Sequence, residues 1–156
     1  MSGYKGHLAG GLIAYGLVLS AAQALQVLNP SPLTAAEWLG FTLAGALFPD
    51  IDIKSKGQKY FYSVLFILFI ILIGTHHSEL VAMLGLLAVI PMMVRHRGIF
   101  HRTWFVIIVP VACALLCSTY SSVDCDILLH DAFFFILGAL SHLVLDLGVR
   151  RTLRGK

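Results

Sequence analysis

The chain has 156 residues, 58% of them hydrophobic and 12% charged, with a formal net charge of +3 and a mean hydropathy of +0.88. Soluble domains carry about 25% charged and roughly 45–50% apolar residues. Composition therefore excludes an ordinary soluble domain and points to an all-α, polytopic integral membrane bundle, with residues 1–156 as one transmembrane helical domain.

A spanning helix needs about 20 apolar residues. In chain order, the predicted spans are 8–28, 35–49, 60–74, 80–94, 104–120 and 128–148, about six in all. The first follows a single lysine and could imitate a signal peptide. It opens on histidine and paired glycines, however, and is long enough to remain as a span. The second, third and fourth are short and must borrow flanking residues or thin the bilayer locally. Asn29-Pro30-Ser31-Pro32, then Pro49 with a lysine-rich loop, then Thr75-His76-His77-Ser78 mark the first breaks. The three cysteines include no CxxC pair, so neither a zinc ribbon nor a redox motif is expected. Cys113 and Cys117 read as buried thiols in an apolar run, and Cys125 as part of a polar loop.

Cations fix the expected sidedness. Lys5 precedes the first span; Lys54, Lys56 and Lys59 lie between the second and third. Arg95, Arg97 and Arg102 separate the fourth and fifth, and Arg150, Arg151, Arg154 and Lys156 follow the sixth. These are all 11 lysines and arginines, and six spans place every one on the same side. The positive-inside rule then puts both termini in the cytoplasm.

Ionisable residues at membrane depth are costly and usually functional. On the cation-bearing side fall His7, then Asp50 and Asp52 in LFPDIDIK, then His96 and His101 in VRHRGIFHRTW. His142 and Asp146 in SHLVLDLG join them, four residues apart and so on one helix face. Imidazoles and carboxylates together suit a divalent transition metal, zinc first, with manganese or iron as alternatives. A catalytic zinc takes about three protein ligands and an open position. Seven candidates exceed that, and Asp-x-Asp can bridge, so the set allows one ion or two. Arg97, Arg102 and Lys54 stand where they can bind an anionic substrate. A second polar group lies on the opposite side: His76, His77, Glu79, Asp124, Asp126, His130 and Asp131. Those residues read as solvated loop polarity.

The early histidine followed by glycines, then LFPDID, HRGIFH and GALSHLVLDLG, resembles the YdjM-like family of membrane-bound, metal-dependent hydrolases. The likeness covers nearly the whole chain. It implies metal binding at His7, Asp50, Asp52, His96, His101, His142 and Asp146. Phe100 and Arg102 depart from the family pattern, which usually has threonine and serine there. The family's distant similarity to zinc-dependent phospholipase C enzymes implies phosphodiester substrates.

The expected function is an integral-membrane, metal-dependent hydrolase of a phosphorylated lipid or related anion, facing the cytoplasm from a bacterial inner membrane. Asp50 or Asp52 would be the general base. The bilayer is the expected partner, and nucleic acid is not. The alternatives are a non-catalytic membrane adaptor reading the basic face and a metal-binding or transport protein. A carrier would want ligands near the midplane, where these spans carry almost none. A di-iron oxidase is disfavoured because HRGIFH has the wrong histidine spacing for it.

Overall fold

Glycine, proline and serine punctuate this chain, and its helices begin and end where those residues allow. The computed structural model describes residues 3–51, 56–74, 76, 81, 82, 85, 88 and 99–147. Among them are five α-helices: α1 (Tyr4–Ala24), α2 (Pro32–Leu47), α3 (Lys56–Gly74), α4 (Thr103–Tyr120) and α5 (Cys125–Leu147). Two single 3-10 turns, Phe48–Asp50 and Ile99–His101, complete the set, and the described residues include no strand. Among the described residues, three helices are long and apolar enough to cross a membrane: α1, α4 and the Cys125–Asp146 stretch of α5. Of the fourth expected span, only positions 81, 82, 85 and 88 are described, and all four are helical.

The helix ends have identifiable causes. α1 stops at Ala24, four residues before its expected end, because Gln26 adopts φ 58°. Val27 N–H then bonds Ala22 O at 2.9 Å and Gln26 N–H bonds Gln23 O at 3.0 Å. These are the two bonds of a Schellman close, which normally uses glycine at the left-handed position. α2 starts with Ser31 as N-cap, its hydroxyl oxygen accepting from Thr34 N–H at 3.2 Å, and with Pro32 just inside. It tightens into the 48–50 turn at Pro49, which has no N–H to continue the ladder. α5 begins at Cys125 rather than at 128, so Cys125 and Asp126 are helical as well as His130 and Asp131.

Lipid is as apolar as leucine, so helices in a membrane associate through close packing rather than through hydrophobic expulsion. α1, α2 and α5 pack in that way. A Cβ added at Gly138 of α5 would overlap the Thr42 carbonyl oxygen of α2, and one at Gly45 of α2 would overlap the Phe135 carbonyl oxygen of α5. At Gly11 of α1 an added Cβ would sit 3.0 Å from the Ala46 Cβ. Tyr15 secures the far side of this contact, its hydroxyl donating to Ala35 O at 2.6 Å. Trp38 stacks on Phe134 with ring centroids 4.7 Å apart. At the other end Phe48, Ile51, Phe100, Val106, Ala139 and Leu143 form one buried cluster that joins both 3-10 turns to α4 and α5.

Candidate metal centre

The glycine crossing decides what meets beyond it. His142 lies one turn past Gly138 on α5, Asp50 just past Gly45 and the end of α2, and His7 one turn before Gly11 on α1. The three helices pack tightly at these glycines, and the side chains beyond them meet in one small volume. Asp146 follows His142 by one further turn, and the Ile99–His101 turn brings in His101.

Five side chains converge there. His142 Nε2 is 3.6 Å from Asp50 Oδ1 and 3.7 Å from Asp146 Oδ2. His101 Nε2 is 3.7 Å from Asp50 Oδ1. His7 Nε2 is 3.6 Å from Asp146 Oδ1 and 4.0 Å from Asp50 Oδ2, and its ring stacks on His142 at 3.7 Å. His7 and His142 are fully buried and Asp146 nearly so, while Asp50, 19% exposed, and His101, 13% exposed, form the edge that solvent reaches.

These separations are too long for hydrogen bonds. Asp50 Oδ1, Asp146 Oδ1 and His142 Nε2 are in fact buried without a hydrogen-bond partner. Burying carboxylate oxygens of two aspartates and a ring nitrogen of His142 unsatisfied is expensive. A cation among them removes the expense. Donor atoms about 2.0–2.1 Å from a tetrahedral ion stand roughly 3.3 Å apart, and the spacings here are close to that. Asp50, His101, His142 and Asp146 each offer one ligand atom, all within 4.8 Å of one another, and could hold a metal ion.

One carbonyl prepares the site. His142 Nδ1–H donates to Ala46 O across the α2–α5 contact at 2.7 Å. That bond fixes the ring's orientation and leaves Nε2 with the lone pair a metal needs.

Asp52, His96, Arg97 and Lys54 lie outside the described residues. Arg102, an exposed residue, is the N-cap of α4 beside His101. The opposite end of the bundle corrects the expectation of solvated loops. His130 stacks on Trp38 with its Nδ1 on Asp126 O at 2.6 Å, and Asp131 is 6% exposed. His76 is an exposed turn residue with φ 60°, Asp124 lies in the turn before α5, and His77 and Glu79 lie outside the described residues. Sequence reading also missed Gly45, Gly138 and the Ala46 carbonyl; the small-residue runs LAGALF and ILGALS were the available signal.

An all-helical bundle with membrane-crossing helices and a buried histidine–aspartate cluster at one end defines a membrane protein with a candidate metal centre. The family model described as YdjM inner membrane protein matches residues 1–153, and the chain belongs to that family. No curated protein and no solved structure matches the chain.

Proposed function

We propose that the chain is a metal-dependent hydrolase of the inner membrane that cleaves a phosphoester of a phosphorylated lipid or related anion at the cytoplasmic face. The observation that carries this reading is the set of buried, unpartnered donor atoms on Asp50, His142 and Asp146, facing one another beside His7 and His101. Asp50, His101, His142 and Asp146 hold a divalent ion, zinc by preference, and His7, Asp52 and His96 are the further ligands if a second ion binds. Such an ion supplies Lewis acidity toward a phosphoryl oxygen and toward the attacking water.

The protein's own groups do the rest. Asp50 directs Oδ1 to His101 and His142 and Oδ2 to His7. Oδ2 takes the proton of the attacking water, and the proton returns to the leaving oxygen as the ester bond breaks. Asp52 is the other carboxylate suited to this role. The partly exposed edge at Asp50 and His101 is where substrate enters. Exposed Arg102, with Arg97 and Lys54, holds the remaining phosphate oxygens, since guanidinium and ammonium groups match them in charge and geometry.

Elemental analysis of the purified protein, combined with phosphate release from phosphatidic acid and phenol release from a soluble aryl phosphodiester, tests the reading. Stoichiometric metal and hydrolysis are expected, both lost in His142→Ala and Asp146→Asn. Arg97→Ala should keep the metal and weaken substrate binding, whereas His96→Ala loses metal if a second ion is present. Metal without hydrolysis would favour a metal-binding protein; neither one would favour an adaptor.

A further inference from the structure

A cavity of about 260 Å³ lies between α2, α4 and α5, and its walls are almost wholly apolar. Phe48 closes it at the cluster end, two residues before Asp50, and Leu128 and Cys117 line it at the opposite end, with Asp131 one α5 turn inside Leu128. Between them it follows α4 from Val109 to Cys117, a rise of roughly 12 Å. Pro110, inside α4, lines it. Phe41, 38% exposed, lies on the α2 side, so the cavity opens sideways toward lipid. Apolar cavities of about 150 Å³ already accept a benzene ring, so a longer hydrocarbon segment suits this one.

Asp131 is the anomaly in that wall. It is 6% exposed, and its Oδ1 is buried with no hydrogen-bond partner. A buried carboxyl oxygen left unmet costs free energy, so a hydrocarbon pushed against it gains nothing by further burial. The apolar stretch is therefore open at the side, begins next to the histidine–aspartate cluster, and meets a polar group at Asp131 one turn short of its far end.

We propose that this groove seats one hydrocarbon chain of a phospholipid whose phosphate lies at the cluster, and that Asp131 is the floor limiting how far the chain extends. The proposal rests on the hydrolase reading for the position of the phosphate and on the groove alone for the chain. The substrate is then taken from within the bilayer rather than from water. Its tail is held by α4 and α5 while its head reaches Asp50 and His101. Asp131 acts as a specificity-determining residue for chain length and takes no part in bond cleavage.

Photocrosslinking in phosphatidylcholine nanodiscs tests this, using phosphatidic acid with a diazirine midway along one acyl chain. Labelling should concentrate on Val109, Cys113 and Phe135 over Ile108, Leu115 and Leu116, which α4 exposes to lipid in any case. Ala114→Phe, which fills the groove, should cut that labelling on the order of tenfold, the loss expected when about two methylenes leave an apolar site, with metal content unchanged. Cys117→Phe fills the other end and serves if Ala114→Phe does not fold. Asp131→Leu should shift competition among acyl lengths toward longer chains. Even labelling around α4, or labelling unaffected by both fillings, would overturn the groove. An unchanged length preference in Asp131→Leu would overturn the floor. Localised labelling without phosphate release would leave the groove standing and count against the hydrolase reading instead.

Discussion

The two ends of this bundle hold histidines and aspartates in similar number, yet they treat them in opposite ways. At one end His7, His101, His142, Asp50 and Asp146 point their donor atoms at one another across 3.6–4.0 Å, with no hydrogen bond closing any of those gaps. At the other, His130 is satisfied singly, its Nδ1 on the Asp126 carbonyl and its ring flat against Trp38. Residue types alone do not distinguish a ligand set from ordinary polarity. Shared orientation toward one point, with Asp50 Oδ1, Asp146 Oδ1 and His142 Nε2 left without hydrogen-bond partners, does. His142 makes the contrast sharpest, because its one hydrogen bond goes to Ala46 through the ring nitrogen that faces away from the cluster.

The largest effect should come from the two histidines that exemplify the contrast. We predict that His142→Ala reduces bound metal from stoichiometric to near zero, while His130→Ala leaves it unchanged, by elemental analysis of each variant. Metal lost from the His130 variant would erase the distinction between the ends.

Next in size is the crossing that assembles the cluster. Gly138→Val should destabilise the protein in detergent by about 3 kcal/mol, the upper range for overpacking, and lower metal content as α2 and α5 separate. Gly16→Ala and Gly40→Ala meet nothing within 4 Å. They should be neutral or stabilise by up to about 1 kcal/mol, the helix preference of alanine over glycine. Thermal unfolding followed by circular dichroism separates the two outcomes; equal effects at all three glycines would show that the close approach is not what holds the site.

Chelation should then remove stability without mutation. A bound ion present at 100 times its Kd contributes about 2.7 kcal/mol, so dialysis against a chelator is expected to lower the melting temperature of the wild type but not of Asp146→Asn. An identical drop in both would place the stabilising ion elsewhere.

The smallest effect belongs to the end away from the cluster. Tyr15→Phe deletes the bond to Ala35 O and should cost about 1 kcal/mol with metal content intact. A loss of metal in this variant would mean that the two ends are coupled through α1.

Much of the cluster was legible because charge in a membrane chain is sorted by side. Lysine and arginine placement drew His7, Asp50, His101, His142 and Asp146 toward one layer before any coordinates, and the structure brings these five together. Which face of each helix is buried was not legible. In water, a polar stripe marks the exposed face; in lipid, both faces are apolar and the stripe disappears. The burial of Asp131 was missed for that reason, as was the role of Gly45 and Gly138, whose meaning depends on a carbonyl oxygen of another helix. The early end of α1 escaped because Gln26, not glycine, takes the left-handed position.

The cluster draws on residue 7 and on residue 146 of a chain of 156. The cluster therefore joins two helices far apart in the sequence, and α1 must wait in the bilayer until α5 has been made and inserted. Until then His7 has neither its stacking partner nor the Asp146 carboxylate. Chains truncated before α5, or inserted with the last helix misoriented, cannot complete the cluster however well their other helices pack.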